Sequence, residues 1–426
     1  MLIKNLSILG STGSIGRQTL AVVESLPGQF KILALAAGSN LDELLSQIER
    51  HHPEVVSVAD SAKASELSRR LREKGTSPLP AIHHGQEGML AVATHPHCEI
   101  VVSAAVGVVG LPATYEAVKL GRTIALSNKE VLVAAGELVM AAVKKSGVPL
   151  LPVDSEHNAI HQCLRASGTG SPAGALGVDS PSAGAPDAGV APGIYSDVRR
   201  LILTASGGPF RKTPLSQLRK VTVDQALAHP NWRMGKRITI DSATMMNKGF
   251  EVIEARWLFD VRPDQIDVVI HPQSTIHSMV EFIDGSVLAQ LGPTDMRMPI
   301  QYALTYPQRV ASNQLELDWS RLRRLDFQNA STRRFPCLRL AREAMKKGGA
   351  LPCALNAADE VAVAAFLEQR LPFLGIPEVI EDVLARTPRS KFGSMDDVLA
   401  ADSEARRMAS EAVEKFAVAR AATHFR

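Results

Sequence analysis

An α/β fold in three parts is predicted by three observations. Short β-rich runs alternate with amphipathic helical stretches in the first third, strands with one polar face follow in the middle, and the last quarter is almost purely helical. Residues 7–9 form the first apolar run and lead into a helix from about Ser14; residues 31–36 make the next strand and 41–50 the next helix. A strand at 55–58, a helix around 64–71 and strands at 100–102, 122–126 and 148–153 continue the alternation. Strands separated by helices make βαβ units, which pair in parallel and bury both sheet faces. Residues 200–203 start a new strand. Residues 266–270, 277–283 and 286–291 alternate apolar and polar side chains, as in a mixed or antiparallel α+β sheet with one open face. Residues 336–345, 357–368, 375–385 and 403–422 carry apolar side chains at helical spacing and make a C-terminal helical bundle.

At 426 residues the chain exceeds one ordinary core. The divisions expected are 1–152, 153–310, a Pro- and Arg-rich linker at 311–331, and 332–426. Residues 167–193 hold Gly, Pro, Ala and Ser with no Lys, Arg or Glu, a composition too poor in apolar surface to offset ordering entropy; a disordered surface insertion is expected there. The formal net charge of +3 is small for this length and gives no support to a nucleic-acid partner. No apolar run reaches membrane-spanning length, and the N-terminus runs into a strand without a basic leader, so neither a membrane partner nor a signal peptide is expected. Four cysteines lie far apart without a CxxC pair, the pattern of reduced thiols in a cytoplasmic protein.

Gly10-Ser-Thr12-Gly13-Ser14-Ile15-Gly16 sits at a strand end and opens a helix. Glycines permit the tight turn and close backbone approach, and the helix start offers amide hydrogens to a pyrophosphate; together they point to a Rossmann-like dinucleotide-binding domain. A Gly-rich turn between strand and helix is also common without a ligand. The second strand ends at Gly38-Ser39-Asn40, where an acidic residue would select a free ribose 2′-hydroxyl. None stands there, which favours NADPH over NADH.

Asp154-Ser155-Glu156 follows an apolar strand and places two carboxylates at alternate positions. Such a pair can bind a hard divalent cation; on spacing alone, a helix cap at Asp154 or Ser155 is the commoner use. His157 and His161, without a third ligand nearby, read as ordinary helix residues. Further on, Ser242, Asn247 and Lys248 are the hydroxyl, amide and ammonium types that hold a phosphate at a helix start. Glu251 can complete a carboxylate metal site, or it can form an exposed i, i+3 pair with Lys248. The stretch between Ser206-Gly-Gly-Pro-Phe210 and His229-Pro-Asn-Trp232-Arg-Met-Gly235 is polar and contains proline, and reads either as a substrate lid or as a long surface connection.

Taken together, GSTGSIG (10–16), SNKE (127–130), VDSEHNAI (153–160), TASGGPF (204–210), HPNWRMG (229–235) and ATMMNKGFEVIEA (243–255) closely resemble the 1-deoxy-D-xylulose 5-phosphate reductoisomerase family, in order and over nearly the whole chain. The resemblance implies an isomerisation followed by NADPH-dependent reduction, giving 2-C-methyl-D-erythritol 4-phosphate for isoprenoid precursors. By matching motif, Asp154, Glu156 and Glu251 are implied to hold Mg²⁺ or Mn²⁺, which reverses the preference for a helix cap. Ser206, Ser242, Asn247 and Lys248 are implied to hold the sugar phosphate, with His229 and Trp232 on a mobile lid. Lys129 and Ser155 are implied at the substrate's oxygenated carbons, and residues 12–15, 38–40, Asn128, Glu130 and Gly235 at the cofactor. The catalytic set implied is Lys129, Asp154, Glu156, His229 and Glu251. Ser39 stands where some family members carry a basic residue. A homodimer pairing through strands 277–283 and 286–291 is expected. The competing readings are a dehydrogenase for another small substrate, and a non-catalytic NADPH sensor, which leaves the carboxylates unexplained.

Overall fold

The computed structural model describes residues 3–167, 196–232, 234–311, 316–320 and 322–424. The insertion expected at 167–193 lies outside them from residue 168 onward. The N-terminal region alternates β1 (Lys4–Leu9), α1 (Ser14–Ser25), β2 (Phe30–Ala36), α2 (Leu41–His51), β3 (Val55–Val58), α3 (Ser61–Glu73), β4 (Ala81–His84), α4 (Gly85–Ala93), β5 (Ile100–Ser103), α5 (Leu111–Lys119), β6 (Thr123–Leu126), α6 (Glu130–Ser146) and β7 (Leu150–Pro152). Its sheet runs β4-β3-β2-β1-β5-β6-β7, parallel throughout. Strand order reverses between β1 and β5, which opens a crevice at the carboxyl ends of those strands. Local signals start the helices: Asn40 and Asp60 accept hydrogen bonds from the backbone amides of Glu43 and Lys63, capping α2 and α3. Gly147, in the left-handed region at φ 68°, ends α6.

The middle of the chain comprises α7 (Ser155–Ala166), β8 (Val198–Ala205), α8 (Val223–Leu227), α9 (Lys236–Thr244), α10 (Met246–Leu258), β9 (Ile266–Ile270), β10 (Ile276–Phe282), β11 (Val287–Leu291) and α11 (Arg297–Thr305). A short β12 (Gln328–Asn329) joins these strands in a five-stranded sheet, β11-β10-β8-β9-β12. The sheet is mixed: β8 and β9 are parallel, while β10 is antiparallel to both β8 and β11. The expected linker therefore contributes a strand, pairing Gln328 with Ile270 and Asn329 with Val269. The bundle follows as α12 (Pro336–Lys347), α13 (Leu351–Leu367), α14 (Gly375–Arg386) and α15 (Met395–His424).

Two cores hold these parts together. One lies against one face of the parallel sheet and takes in Leu6, Ile8 and Val102 with Ile300, Ala303 and Leu304 of α11. The other runs from the opposite face, through Val131 and Val139 of α6 and Phe250 and Ile253 of α10, to Leu355 and Ile380 of the bundle. Side chains of the nucleotide-type sheet, the middle region and the bundle thus share one apolar interior. That sharing fixes the strand-end loops against α9 and α10, and the cleft between them holds the site.

Candidate active site

A cavity of about 950 Å³ opens where those loops face the middle region. Residues 13–15, 104–106, 127–130 and 154–156, which follow β1, β5, β6 and β7, form one wall. Ser206, His229, Trp232, Gly235, Ser242, Asn247 and Lys248 form the other. Sixteen of the residues singled out from the sequence therefore line one space, although up to 235 positions separate them in the chain.

The glycine loop has the geometry a dinucleotide needs. A Cβ at Gly10 would stand 2.5 Å from the Ala104 carbonyl oxygen, and one at Gly16 would stand 2.4 Å from the carbonyl oxygens of Gly10 and Ser11. Only glycine lets β1, the turn and α1 approach this closely. No side chain caps α1 at Gly13, and its first turn carries no acidic residue, so its amides face the cavity with nothing to repel an anion. Gly10, Thr12 and Gly16 support the turn from outside the lining. Gly38, Ser39 and Asn40 also lie outside it, and the Asn40 side chain is occupied in capping α2.

At the other end of the cavity, six charged side chains interlock, of which Lys129, Asp154, Glu156 and Lys248 line it while Glu251 and Glu254 lie outside the lining. Lys129 contacts Asp154 and lies 3.6 Å from Glu251 and 3.8 Å from Glu254. Lys248 is 2.8 Å from Glu156 and contacts Glu251, while Asn247 donates to Glu251 at 2.7 Å. Lys248 and Glu251 are buried, not an exposed helical pair, because α10 turns this face toward α7 rather than solvent. The helix-cap reading of Asp154 fails as well: it occupies the N-cap position of α7 but makes no capping hydrogen bond, its carboxylate being turned to Lys129.

Burial opposes every charge here, and the partners decide the outcome. Burial lowers the Lys129 pKa, but Asp154, Glu251 and Glu254 outweigh it and hold the ammonium well above the usual lysine range. Burial pushes Glu156 up, yet Lys248 and Lys129 bring it to about 2. Glu251 goes the other way, up to about 8, because burial is reinforced by the Glu156 charge. Burial lowers the His157 pKa to about 4, which makes it a buried neutral imidazole. Oxygens of Asp154, Glu156 and Glu251 all lie within 4.8 Å of one another, close enough for one ion.

His229 and Trp232, expected on a lid, line the same cavity. The backbone N–H groups of Asn231 and Trp232 donate to His229 Nδ1 at 3.2 and 3.0 Å. The His229 proton therefore sits on Nε2, which donates to Ser206 Oγ at 3.0 Å. Gly208 N–H also donates to Ser206 Oγ at 3.2 Å. With both lone pairs used, the Ser206 hydroxyl proton is free to point at a ligand oxygen.

Arg237 carries no signal in the sequence, where it is one member of a Lys-Arg pair that follows the His229–Gly235 stretch. In the fold it donates to Glu130 at 2.6 Å, Glu360 at 2.8 Å and Asn356 at 3.0 Å, tying α9 to α6 and α13. Glu130, expected at the cofactor, accepts from Arg237 and from the Gly107 amide while still lining the cavity. Asn128 donates to the carbonyls of Ala105 and Gly107, which holds the β5 loop in place.

Family models described as 1-deoxy-D-xylulose 5-phosphate reductoisomerase match residues 6–136 and, for its C-terminal domains, 150–259 and 291–408. A reductoisomerase of that name from Solibacter usitatus is 49% identical over 410 residues, covering 96% of this chain and 97% of that protein. One from Pseudomonas savastanoi pv. phaseolicola is 50% identical over 412 residues, covering 97% and 98%. Among solved structures, the Zymomonas mobilis enzyme in complex with NADPH aligns with a TM-score of 0.84 at 40% identity, over 97% of this chain and 99% of that one. A reductoisomerase in complex with NADPH, fosmidomycin and magnesium aligns with a TM-score of 0.86 at 37% identity, over 97% and 98%. Matched from end to end in sequence and fold, the chain belongs to the 1-deoxy-D-xylulose 5-phosphate reductoisomerase family.

Proposed function

We infer that the cavity is the catalytic centre, with Asp154, Glu156 and Glu251 holding a divalent cation and the glycine loop holding NADPH. The chain is an NADP-dependent oxidoreductase that isomerises 1-deoxy-D-xylulose 5-phosphate and reduces it to 2-C-methyl-D-erythritol 4-phosphate, using NADPH and Mg²⁺ or Mn²⁺. The observation that carries the residue assignment is that Asp154, Glu156, Lys129 and Lys248 line the cavity that also receives the glycine loop, with the Glu251 carboxylate within 4.8 Å of the other two.

Bound by three carboxylates, a divalent cation supplies Lewis acidity to the substrate's carbonyl and hydroxyl oxygens, and NADPH supplies the hydride. The chain's own groups do the rest. Lys129 keeps its proton and stands beside Asp154, positioned to offset negative charge as it develops on a substrate oxygen. Ser155, buried at the start of α7, donates to Glu156 and borders the same space. Ser206 directs its hydroxyl proton at the phosphate, with Ser242 and Asn247 beside it on α9 and α10. Lys248, paired with Glu156 and Glu251 and lining the same space, would offer its ammonium to the phosphate. His229 holds Ser206 and, with Trp232, anchors the lid that excludes water while the carbon skeleton is rearranged. Gly13, Ser14, Ile15, Asn128, Glu130 and Gly235 shape the NADPH end, supported by Gly10, Thr12, Gly16 and the turn at Gly38, Ser39 and Asn40.

Titration calorimetry tests the assignment. Mg²⁺ should bind the wild-type chain at one site and bind Asp154→Asn and Glu156→Gln at least about tenfold more weakly, a loss of 1.4 kcal/mol. Undiminished Mg²⁺ binding in both variants would place the ion elsewhere.

The chain works as a homodimer through β11, the edge strand of the mixed sheet, whose Val287 and Leu288 are exposed. An apolar edge strand is a pairing surface, and light scattering on the wild type and on Leu288→Lys decides whether it is used. Its four cysteines are buried and unbridged, which suits a cytoplasmic, reducing location. No helix among the described residues is long and apolar enough to cross a membrane.

A further inference from the structure

We propose that His157, Glu254 and Asp154 form a second cation site, selective for nitrogen-seeking ions of the Zn²⁺ class, that shares only Asp154 with the three-carboxylate site. His157 lies on α7 and is completely buried. Its Nε2 meets the backbone carbonyl of Glu251 at 2.9 Å and must donate to it, since a carbonyl oxygen only accepts. The proton is thereby fixed on Nε2, leaving a bare lone pair on Nδ1.

That lone pair has no hydrogen-bond partner among the described residues. It faces Asp154 Oδ2 and Glu254 Oε2, each 3.7 Å away. Glu254 is 3% exposed, and its Oε2 is likewise without a hydrogen-bond partner among the described residues. A distance of 3.7 Å is too long for a proton shared between Glu254 and His157. It is close to what one ion requires: two ligands at about 2.0–2.2 Å from a tetrahedral centre stand roughly 3.3–3.6 Å apart. The three donor atoms all lie within 4.8 Å of one another.

A histidine that donates one ring N–H to a backbone carbonyl while its other nitrogen faces carboxylates is built as metal-ligating histidines are. The donor set decides which ion. Mg²⁺ takes oxygen ligands and avoids nitrogen, whereas imidazole with carboxylates suits Zn²⁺ and its neighbours. Lys129 now stands against the same two acids, in contact with Asp154 and 3.8 Å from Glu254. Its ammonium and an ion at this site exclude each other. A Zn²⁺-class ion here would take Asp154 from the three-carboxylate site and move Lys129 away from it, so it competes with Mg²⁺.

Co²⁺, a paramagnetic stand-in for Zn²⁺, provides the test on the full chain. Proton NMR of the Co²⁺-loaded protein should show a strongly shifted, exchangeable imidazole N–H resonance in the wild type. His157→Gln should lose that resonance while still binding Mg²⁺, and Glu254→Gln should weaken Zn²⁺ binding at least about tenfold. Adding Mg²⁺ should diminish the resonance. Co²⁺ bound without a shifted imidazole proton, or the same resonance in His157→Gln, overturns the second site and leaves the three-carboxylate assignment standing. Loss of Mg²⁺ binding in Glu251→Gln with the resonance retained would support both sites independently. If His157→Gln does not fold, Glu254→Gln decides: Zn²⁺ affinity equal to that of the wild type overturns the proposal.

Discussion

Replacing Gly16 by alanine separates the structural from the ligand-facing function of the glycine loop. The added Cβ would stand 2.4 Å from the carbonyl oxygens of Gly10 and Ser11 and 2.5 Å from Ser11 Cα, where ordinary contact begins at 3.4 Å. All three atoms are backbone, so the start of α1 must move by about 1 Å away from β1. Overpacking of this kind costs about 1–3 kcal/mol, and exchanging glycine for alanine in a helix returns about 1 kcal/mol, leaving a net loss of up to about 2 kcal/mol. A 1 Å retreat of the helix start also misplaces the amides of residues 13–15, so NADPH should bind at least about tenfold more weakly. Gly13→Ala provides the contrast. Its φ of −74° suits any residue, its nearest neighbour is Gly10 O at 3.3 Å, and it lines the cavity. Stability should stay within about 0.5 kcal/mol while NADPH affinity falls. Urea unfolding and NADPH fluorescence titration measure both quantities. A Gly16→Ala protein with the wild-type unfolding midpoint and wild-type affinity would refute the packing argument. So would a Gly13→Ala protein that is the less stable of the two.

Two further perturbations test the buried charges. Arg237→Ala removes the cation that faces Glu130, Asp241, Asp359 and Glu360, and stranding buried carboxylates in this way should cost about 3–5 kcal/mol. Arg237→Lys should recover part of that loss in a thermal melt, and an alanine variant as stable as wild type would sink the idea of a clamp. Burial pushes the His161 pKa down from 6.5 to about 3. The unfolded chain therefore binds the extra proton between those values, and stability falls as pH drops through that window, by about 1.4 kcal/mol per pH unit. His161→Gln should flatten the decline in urea midpoint between pH 7 and pH 4.5; an unchanged slope would mean that other groups set the acid limit.

Much of the fold was legible because its signals are local. Apolar runs of four to seven residues between helical stretches, as at 55–58 and 100–103, announce a parallel sheet by composition alone. β4 escapes such a reading because Ala81-Ile-His-His84 holds two histidines and is exposed at all but Ile82 on the sheet edge, so it lacks the apolar run by which strands are recognised. β12 is two residues long and takes its identity from pairing with β9, which no local pattern can show. The same divide runs through the site. Gly10 to Gly16 can be read from spacing, since a turn is a local object. The charges of Lys129, Asp154, Lys248 and Glu251 cannot, because spacing equally allowed a helix cap and an exposed ion pair. Tertiary packing overrides both by burying α10 against α7, and the resemblance supplied what periodicity could not. Arg237 and Glu254 carried no signal, as their importance lies entirely in what the fold places around them.

NADPH oxidation driven by 1-deoxy-D-xylulose 5-phosphate, compared between the wild type and Glu251→Gln, tests the site most directly. Glu251 is fully buried between Lys248 and Lys129, and the amide keeps its shape while removing a ligand charge. Oxidation by the wild type should require both substrate and divalent metal and should stop on chelation. Glu251→Gln should lose turnover by at least about a hundredfold, nearly 3 kcal/mol of transition-state stabilisation, while NADPH binds with wild-type affinity. Turnover that survives in the variant, or a variant that loses NADPH instead, would contradict the assignment of Glu251 to the metal.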